Sequence, residues 1–555
     1  MAKISGAEIF IESLKKENVE VLFGYPGGAV IPIYDKLYDA PFKNVLTRHE
    51  QGAIHAADGY ARSTGKVGVC ISTSGPGATN LVTGLATAYM DSVPMVAFSG
   101  QVSSSLLGKD AFQEADVRGI TMPITKHNYL VTDVKDLARI IKEAFYIASS
   151  GRPGPVLIDL PVDITKELAE FEYPESIDLP GYNPEYNIDK DKLSEAAELI
   201  NSSKKAVIFA GGGAISSGAG NVLEAFAKKS RIPVITSLMG LGAFPEDNEL
   251  SLGMPGMHGC RSANYALTES DLIIAVGVRF DDRVTGKLDT FAPNAKVIHI
   301  DIDPAEISKN VDALIPLIGD AKEVLEGLSP LIKESKKEAW ITQICEWKTN
   351  NPYKYDDDSN EIKPQYVIEE LNRLTDGKAV IVTEVGQNQM WAAQYYNYSV
   401  PRNFLSSGGL GTMGYGLPAA LGAQLGRKDD VVIDISGDGS FQMNVQELAT
   451  IKNYNLPVKI IILNNSSLGM VRQWQELFFE KRYSSTILEN PDFVKLAEAY
   501  GIYAARIEDA KELSKALEDA LNHDGPVLMD IKVAQEENVF PMVPAGKGIQ
   551  EMIGG

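Results

Sequence analysis

The sequence predicts an α/β protein of three domains, each built on a mostly parallel sheet with helices on both faces. Short Val/Ile-rich runs alternate with longer stretches of helical periodicity. These runs are almost continuously apolar and end in Gly, Ser or Asp, which is typical of buried parallel strands. At 555 residues the chain is also too long for one hydrophobic core.

The strand-like runs occur along the whole chain; they are VGVCIST, PVLIDLP, KAVIFAGG, DLIIAVG, KVIHIDID, AVIVTEVG, VVIDISG and VKIIILNN. Two polar, proline-bearing stretches, around residues 170–192 and 346–364, are typical of linkers. They divide the chain into predicted domains at 1–170, 190–345 and 362–540. The first and third domains resemble each other weakly, because VGVCISTSGPG and VVIDISGDG both run from a strand through a glycine loop into a helix. In such sheets ligands bind at the carboxyl ends of the strands.

The composition limits the partners and the compartment. A net charge of −22 disfavours nucleic acid and anionic membranes as partners. Cys70, Cys260 and Cys345 are an odd number of cysteines without metal-ligand spacing, so we expect a reducing cytoplasm rather than a disulfide framework. The sequence has no stretch of about 18 uninterrupted apolar residues and no signal or transit pattern, and we therefore expect no membrane span.

Two strand ends in the third domain carry oxygen ligands. The run VVIDISGDG ends in Gly437-Asp438-Gly439, and the later run VKIIILNN ends in Asn464-Asn465. A carboxylate and an amide oxygen from neighbouring strand ends suit a divalent cation, and the glycines let the backbone approach a diphosphate. The alternative is two unrelated strand-end turns. The arrangement resembles the thiamine-diphosphate binding motif.

Glu50 follows a short strand-like run and opens an alanine-rich helical stretch. An acid at this position also suits the first turn of any helix, and taken alone that interpretation would be favoured. Beside the metal and diphosphate motif it has a second meaning. Thiamine diphosphate needs a carboxylic acid hydrogen-bonded to its aminopyrimidine, and Glu50 is the candidate.

Several glycine-rich loops suit an anion-binding cleft. FGYPGGA, with Gly27 and Gly28, and STSGPGATN each place small residues between a strand and a helix, where backbone amides can face a ligand. Tight turns without a ligand are the alternative. The segment 405–416, LSSGGLGTMGYG, carries Met413, which either supports a cofactor from beneath or fills a gap in the core.

The middle domain offers arginines to a ligand. AGGGAISSG begins as a G-x-G pattern, but Ser216 stands where the third glycine would be, so the dinucleotide fingerprint is incomplete. In GVRFDDRVTGK, which follows an apolar run, Arg279 and Arg283 form either surface salt bridges or bidentate contacts to phosphate or carboxylate.

Together these motifs resemble the large catalytic subunits of the acetohydroxyacid synthase family, also called biosynthetic acetolactate synthases, over almost the whole chain. The matching stretches are FGYPGGA, RHEQGA, TSGPGATN, GQV, DAFQEAD, GRPGPVLIDLP, GMHG, GVRFDDRVTG, VGQNQMW, GGLGTMGYGLPAA, GDGSFQMN, LNN and GMVRQWQELF. The resemblance implies an N-terminal pyrimidine-binding domain, a Rossmann-like central FAD-binding domain and a C-terminal domain that binds diphosphate and Mg²⁺.

The resemblance also implies the residues that hold three cofactors. Glu50 would activate thiamine diphosphate, and Asp438, Asn465 and the backbone oxygen of Ser467 would hold Mg²⁺. The other residues implied to contact thiamine diphosphate are Gly27, Gly28, Gln387, Met413, Gly437 and Met470. Those implied to contact FAD, which is structural in this family, are Arg152, His258, Arg279, Asp301 and Asp320.

The implied reaction decarboxylates one pyruvate and condenses the hydroxyethyl unit with a second 2-oxo acid, in branched-chain amino acid biosynthesis. A second pyruvate would give 2-acetolactate, and 2-oxobutyrate would give 2-aceto-2-hydroxybutyrate. Phe112 and Gln113 would line the reaction centre. Arg283 would meet the carboxylate of the second substrate and Trp474 its alkyl group. Val162 departs from the family, because many members carry a lysine there.

The resemblance further implies a homodimer or tetramer with active sites shared between chains, and a separate small regulatory subunit. The rival enzymes are a flavin-using pyruvate oxidase and the flavin-free catabolic acetolactate synthase, but GVRFDDRVTG and RQWQ favour the biosynthetic type. A further rival is a degenerate subunit without activity. Such a subunit would be expected to lose the acid or the metal ligands, whereas Glu50, Asp438 and Asn465 are all present.

Overall fold

The computed structural model describes residues 3–184, 186–356 and 361–554. It confirms the predicted α/β class, since three large sheets contain only parallel neighbours among the described strands, and helices connect those strands. Each of the predicted strand-like runs forms a buried strand. Residues 185 and 357–360, which fall in the two predicted linkers, lie outside the described residues.

The first large sheet belongs to the N-terminal part of the chain. The strands of the N-terminal part are β1 Lys3–Ser5, β2 Val21–Gly24, β3 Lys43–Leu46, β4 Gly68–Ser72, β5 Met95–Gln101, β6 His127–Leu130, β7 Pro155–Pro161 and β8 Leu168–Glu170. Its helices are α1 Gly6–Lys16, α2 Ile31–Leu37, α3 Glu50–Thr64, α4 Pro76–Thr79, α5 Val82–Met90, α6 Val117–Thr121 and α7 Leu137–Ser149. The sheet order is β3-β2-β4-β5-β7-β6, while β1 and β8 form a separate antiparallel pair.

The second large sheet belongs to the middle of the chain and has five strands among the described residues. These are β9 Ala206–Ala210, β10 Val234–Thr236, β11 Leu272–Val276, β12 Lys296–Asp301 and β13 Ile315–Ile318. The helices are α8 Lys190–Ser202, α9 Gly212–Ser216, α10 Gly220–Ser230, α11 Arg261–Glu269, α12 Asp282–Thr285, α13 Ala321–Leu328 and α14 Glu338–Asn350. The order β10-β9-β11-β12-β13 places β9, with its glycine-rich carboxyl end, beside β11.

The third large sheet belongs to the C-terminal part. Its strands are β14 Val380–Thr383, β15 Phe404–Leu405, β16 Val432–Gly437, β17 Lys459–Asn464, β18 Tyr503–Ile507 and β19 Val527–Lys532. The helices are α15 Pro364–Thr375, α16 Gln387–Tyr395, α17 Gly416–Gly426, α18 Asp438–Phe441, α19 Glu447–Asn453, α20 Gly469–Phe478, α21 Phe493–Ala499 and α22 Ala510–Asn522. The sheet order is β15-β14-β16-β17-β19-β18.

The first and third sheets have the same topology. In each, the second strand lies at one edge, the first is beside it, the third and fourth follow, and the sixth precedes the fifth. The echo between VGVCISTSGPG and VVIDISGDG has a structural counterpart, because β4 and β16 occupy the same place in the two orders. The two sheets therefore present equivalent strand ends.

Helices α3 and α17 join these two sheets through one hydrophobic core. The helices cross where each has a glycine facing the other. A side chain at Gly59 would collide with the Ala419 backbone, and one at Gly422 would collide with the backbone of Ala56. The sequence feature that sets this close approach is the absence of Cβ at two positions. The helix that begins at Glu50 is thereby fixed against the C-terminal part.

The second predicted linker begins later than expected. Residues 346–350 continue helix α14, because Trp347 packs edge-on against Trp340 with ring centroids 5.7 Å apart. In the first predicted linker, residues 171–184 and 186–189 form neither helix nor strand. The domain boundaries at 1–170, 190–345 and 362–540 stay predictions. Within the described residues, no helix is both long enough and apolar enough to span a membrane.

Candidate active site

The first group of candidate residues lies at the N-terminus of α3. Glu50 is the first helical residue and only 9% exposed. His49 caps the helix, since its side chain accepts a hydrogen bond from the Gln51 amide at 3.0 Å. Glu50 Oε2 accepts instead from Asn80 Nδ2, also at 3.0 Å. The helix end therefore has its own cap, and the Glu50 carboxylate is turned toward the loop after β4.

Glu447, which the sequence analysis missed, buttresses the same helix end from the C-terminal part. Its Oε1 accepts the Arg48 amide at 2.9 Å, and its Oε2 accepts the Thr450 hydroxyl at 2.6 Å. Burial raises the pKa of Glu447, and these donors oppose that rise. No local motif could have predicted this contact, because it pairs residues 399 positions apart.

The two predicted glycine loops of the first sheet lie together at its carboxyl end. A side chain at Gly27 would meet Thr73 at 2.5 Å, while one at Gly28 would meet nothing within 4 Å. Gly75 has a φ of +59°, and a Cβ there would be 2.8 Å from the backbone oxygen of Gln113. Only glycine suits both conditions, so the loop before α4 can lie directly against Gln113.

Phe112 is 89% exposed beside the more enclosed Gln113. The segment that carries them is tied to the sheet by Gln101, whose Nε2 donates to the Ala115 carbonyl oxygen at 2.9 Å and to Asp159 at the same distance. The structure therefore brings Gln113, Gly75 and Glu50 to one strand edge. An exposed aromatic ring at such an edge is available to a ligand or to another chain.

The second group lies at the carboxyl ends of β16 and β17, which are paired in parallel with Gly437 opposite Leu463. Asp438 is 1% exposed, and burial raises its pKa to about 6. The Ser467 amide donates to Asn465 Oδ1 at 3.1 Å, so the loop that follows β17 folds back on its own ligand residue. Among the residues that the structure describes, no cationic side chain pairs with this buried carboxyl, and a hard divalent cation would supply the positive charge. Asp438, Asn465 and Ser467 thus fit a Mg²⁺ site.

Asn490 is a further residue of this group that sequence reasoning missed. Its Nδ2 donates to Asp438 Oδ2 at 2.5 Å and to Asn464 Oδ1 at 3.2 Å. It connects the two strand ends from a segment of irregular structure. Gly437-Asp438-Gly439 and Asn464-Asn465 had motif spacing to reveal them, whereas Asn490 stands outside any motif.

The remaining predicted thiamine-diphosphate residues surround this second group. Gln387 Nε2 donates to Gln473 Oε1 and to the backbone oxygen of Glu537, both at 2.9 Å, and its Oε1 accepts from Asn465. Gly437 lies against the side chain of Asn388, and Met413 is partly buried in the glycine-rich segment. Met470 differs from the other residues of this group, because it also lines a large cleft.

A cleft with a cavity volume of 740 Å³ collects all five residues predicted for FAD: Arg152, His258, Arg279, Asp301 and Asp320. Its walls come from all three parts of the chain and include Gly212 and Gly213 of α9 and residues 407–411. This volume is within the range of about 300–1,000 Å³ that small-molecule sites occupy. A glycine-lined helix start, arginines and an acid at a strand end fit a dinucleotide-like ligand.

The charges of the cleft are already partly paired. Arg152 forms ion pairs with Glu306 at 2.6 Å and Asp303 at 3.1 Å. Burial raises the pKa of Asp301 to about 6 and lowers the pKa of His258 to about 4. Asp320 caps α13 by accepting the Lys322 amide at 2.9 Å. His258 is therefore neutral near pH 7, and the Asp301 carboxyl at the end of β12 has oxygens that can accept hydrogen bonds.

Arg283 and Trp474 meet at the mouth of the same cleft. The guanidinium of Arg283 lies over the Trp474 indole at 5.9 Å from the ring centroid. The Arg283 side chain is 59% exposed. An exposed cation held on an aromatic face can take up an anionic group while the ring contacts an apolar one.

The cleft is not lined by the first and second groups of candidate residues. The residues of these two groups that lie outside its lining are Glu50, Phe112, Gln113, Gln387, Met413, Gly437, Asp438, Asn465 and Ser467. The structure thus separates the candidates into three places: the first sheet edge around Glu50, the third sheet edge around Asp438, and the cleft. Val162, for which no role is expected, donates its amide to Gln101 as part of the sheet edge.

Family descriptions match three successive parts of the chain. Residues 4–120 match "Thiamine pyrophosphate enzyme, N-terminal TPP binding domain", and residues 193–328 match the "central domain" of the same enzymes. Residues 384–531 match the "C-terminal TPP binding domain".

Curated relatives match nearly end to end. The chain is 52% identical to an acetolactate synthase large subunit of Corynebacterium glutamicum, over 98% of this chain and 89% of the relative. It is 49% identical to that of Haemophilus influenzae, over 100% and 98%. It is 50% identical to a probable acetolactate synthase large subunit of Methanocaldococcus jannaschii, over 99% and 95%.

Proposed function

This chain belongs to the thiamine pyrophosphate enzymes and, within them, to the family of acetolactate synthase large subunits, and from that premise we propose how its residues carry out the reaction. It is a thiamine-diphosphate-dependent carboligase that forms acetolactate from pyruvate. The observation that carries the proposal is that two equivalent strand edges carry complementary chemistry. One holds a buried acid, Glu50, and the other holds the oxygen ligands around Asp438.

When bound, thiamine diphosphate supplies a nucleophilic carbon and an electron sink for decarboxylation. Glu50 is the residue that we assign to proton exchange with the aminopyrimidine. Asn80 occupies its Oε2, and its Oε1 faces Gly77, where a Cβ would be only 3.2 Å away. We assign the transferred proton to Oε1, because a glycine at this point leaves the oxygen accessible.

Asp438, Asn465 and the backbone oxygen of Ser467 would hold Mg²⁺, which would supply positive charge for an anionic cofactor group. Hard oxygen ligands of this kind are what Mg²⁺ prefers, and the cation would offset the cost of burying the Asp438 carboxylate. Asn490 would keep Asp438 oriented toward the cation through its hydrogen bond. Gly437 and Gln387 would shape the wall beside it.

The cleft is the place that we assign to FAD. Arg152 and Arg279 would face its phosphates, Asp301 and Asp320 its hydroxyl groups, and His258 its ring system. The argument is the size of the cavity and the convergence of these side chains on it. A flavin in this position would lie next to residues 407–411 and Met470.

We assign selection of the second 2-oxo acid to Arg283 and Trp474. The guanidinium would take the substrate carboxylate, and the indole would contact the methyl group of pyruvate or the ethyl group of 2-oxobutyrate. Phe112 and Gln113 would exclude water from the reacting carbon, since they lie at the same edge as Glu50.

We further propose a homodimer or tetramer in which the Glu50 edge of one chain meets the Asp438 edge of another. The exposed Phe112, Tyr25 after β2, Ile31 at the start of α2 and Met443 after α18 support such a contact, because exposed apolar side chains favour burial. A separate small regulatory subunit follows from the "large subunit" relatives. Three free cysteines suit the reducing cytoplasm, where we place the protein.

Product analysis with pyruvate and 2-oxobutyrate in competition tests the proposal, with thiamine diphosphate, Mg²⁺ and FAD added or omitted in turn. Pyruvate alone should give 2-acetolactate, and the mixture should add 2-aceto-2-hydroxybutyrate. Omission of any one cofactor from the stripped enzyme should abolish both products. Anaerobic bleaching of the flavin by pyruvate without acetolactate would support a pyruvate oxidase and contradict the proposal. Full activity without flavin would support the catabolic type.

A further inference from the structure

Residues 407–416, which we call the shared loop, serve two neighbouring places at once. Ser407, Gly408, Gly409, Leu410 and Gly411 line the large cleft. The second half of the loop carries Met413 and leads into α17. A chain of this glycine content has little conformational preference of its own, so its shape must be imposed by the groups that it contacts.

A buried carboxylate from the N-terminal part holds the first half of the shared loop. Asp91 Oδ1 accepts the Gly409 amide at 2.7 Å, and its Oδ2 accepts the Gly408 amide at 3.0 Å. The Asp91 side chain is fully buried, and Arg62 pairs with it at 2.9 Å. The same point is next to Arg279, one of the residues assigned to FAD, because a Cβ at Gly409 would lie 2.6 Å from Asp91 Oδ1 and 3.3 Å from the Arg279 guanidinium.

A second buried carboxylate holds the other half. Glu384, directly after β14, is 0% exposed. Its Oε2 accepts the Gly414 amide at 2.7 Å and its Oε1 accepts the Gly416 amide at 2.9 Å. These two residues flank the backbone that follows Met413, so Glu384 sets the direction in which the methionine leaves the loop.

Neutral contacts join the two halves. The hydroxyl groups of Thr412 and Thr87 are 2.7 Å apart, and the Thr412 amide donates to Ser407 Oγ at 3.0 Å. Each of these is a single neutral bond, whereas the carboxyl groups of Asp91 and Glu384 each accept two backbone amides of the loop. The two carboxyl groups therefore hold more of the loop backbone than the neutral contacts do.

Burial of the Glu384 carboxyl group is unfavourable for the stability of the fold. Burial raises the pKa of Glu384 to about 7, and burial together with the charge of Glu384 raises the pKa of Asp434. Asp434 lies on the adjacent strand and crowds the same point, since a Cβ at Gly416 would be 2.6 Å from its Oδ1. Two acids placed this closely destabilise the fold unless their hydrogen bonds are needed, which favours a functional reason for them.

We propose that Asp91 and Glu384 are positioning residues that hold the two halves of the shared loop independently. Asp91 shapes the half that faces FAD, and Glu384 shapes the half that presents Met413 to thiamine diphosphate. This inference rests on the proposed function, because that function assigns a cofactor to each half. It predicts that a substitution of Asp91 and a substitution of Glu384 affect the binding of different cofactors.

The test compares Asp91→Asn with Glu384→Gln in the full chain stripped of cofactors. Each amide keeps the size of the acid but replaces one acceptor oxygen with a donor that faces a backbone amide. Asp91→Asn should weaken FAD binding by about 10-fold or more and change thiamine diphosphate binding by less than about 3-fold. Glu384→Gln should show the reverse split. Flavin fluorescence quenching measures FAD affinity, and titration calorimetry with Mg²⁺ measures thiamine diphosphate affinity.

Hydrogen exchange on the same cofactor-free samples supplies a readout that does not depend on activity. Residues 408–411 should exchange faster in Asp91→Asn, and residues 414–417 should exchange faster in Glu384→Gln. Glu246→Gln is the matched control. Burial also raises the pKa of Glu246 to about 7, and its carboxylate accepts one backbone amide, that of Tyr398 at 2.8 Å, away from the loop. It should change neither affinity.

The outcomes separate this inference from the function on which it rests. Wild-type protein that binds neither FAD nor thiamine diphosphate overturns both. Wild-type binding of both, with the two affinities moving together in each variant or moving in neither, overturns the inference alone. If a variant does not fold, Asp91→Glu and Glu384→Asp replace it. These variants keep the charge and move the carboxylate by one methylene, and the same split between cofactors is expected.

Discussion

The first and third sheets share one strand order, yet their carboxyl ends carry different chemistry. At the first sheet the loops after β2 and β4 are small and glycine-rich, and the functional group is one acid, Glu50, with the neutral partner Asn80. At the third sheet the corresponding end carries Asp438 and Asn465, oxygen ligands suited to a cation. The strand order therefore determines where a ligand binds, and a few residues at that place determine the chemistry.

The largest effect in this comparison is expected at the first sheet. Glu50→Gln keeps the size of the side chain and its contact to Asn80 but removes the transferable proton. General acid–base catalysis contributes about 10²- to 10⁴-fold, so turnover to acetolactate should fall by at least about 100-fold. Thiamine diphosphate affinity should change little. The measurements are the rate of acetolactate formation and the dissociation constant of the cofactor.

Glu8→Gln is the control for the Glu50 variant. Glu8 is also an acid in the first turn of a helix of the same sheet, where it forms a capping box with Ser5. Its loss should leave turnover within about 2-fold, because a surface cap contributes to stability and not to chemistry. Equal losses in the two variants would return Glu50 to the status of an ordinary helix-start acid.

The second effect lies at the third sheet and should appear in binding. Asp438→Asn removes the charged ligand of the proposed Mg²⁺ site while keeping an oxygen in place. Mg²⁺-dependent thiamine diphosphate affinity should fall by about 10- to 100-fold, since a charged contact to a divalent cation is replaced by a neutral one. Titration calorimetry at several Mg²⁺ concentrations measures it.

Asp509→Asn is the matched change in the same sheet. Asp509 caps α22 by accepting the Lys511 amide at 2.9 Å, and asparagine is an equally good cap. Its cofactor affinity should match wild type. An Asp438 variant that binds the cofactor as tightly as the Asp509 variant would remove the proposed metal site from the third sheet.

The two sheets also show how far the sequence predicted the site. Gly437-Asp438-Gly439 and Asn464-Asn465 lie at strand ends with motif spacing, and the structure pairs those strands as expected. Glu50 was ambiguous from sequence, and its contact with Asn80 distinguishes it from a helix cap. The fold class followed from local signals, because each parallel strand is a short apolar run.

Residues that act through long-range packing were not predictable. Asn490, Glu447 and Glu384 each hold a functional segment that is distant in sequence or follows no motif. Their positions depend on how the sheets and helices pack, which periodicity does not encode. The second linker begins later than predicted for a local reason, because two tryptophans on one helix face pack together and α14 continues to Asn350.

The third prediction concerns the cleft between the sheets. Trp474→Leu removes the aromatic face beneath Arg283 and should lower the ratio of 2-aceto-2-hydroxybutyrate to 2-acetolactate by about 10-fold, the scale of one methylene in an apolar pocket. Competition between the two substrates measures the ratio directly. Trp347→Leu, which removes a ring packed on Tyr265 away from the cleft, should leave it unchanged. A constant ratio in both variants would exclude Trp474 from substrate selection.

The last prediction concerns the stability of the fold at the equivalent strands β7 and β19, each of which carries a buried aspartate. Asp530 accepts from Asn464 at 2.7 Å and pairs with Arg506 at 2.8 Å. Asp159 accepts only from neutral donors among its described contacts, Ser99 and Gln101, and burial raises its pKa to about 6. At pH 7.5 Asp530→Asn should therefore lower the free energy of unfolding by about 1 kcal/mol, because Arg506 loses one of its two carboxylate partners and keeps Asp492 at 2.8 Å.

Asp159→Asn should raise the free energy of unfolding instead, and the size of this gain should depend on pH. Since the pKa of Asp159 in the folded protein lies above its ordinary value of 3.8, the protonated form stabilises the fold. That contribution is full below 3.8 and is lost as the pH rises through about 6. Asparagine does not titrate, so the variant should gain up to about 3 kcal/mol relative to wild type between about pH 4 and pH 7, the value that corresponds to a pKa raised from 3.8 to about 6. Urea unfolding at a series of pH values measures this gain, and a difference that stays flat with pH would show that the two buried aspartates are equivalent after all.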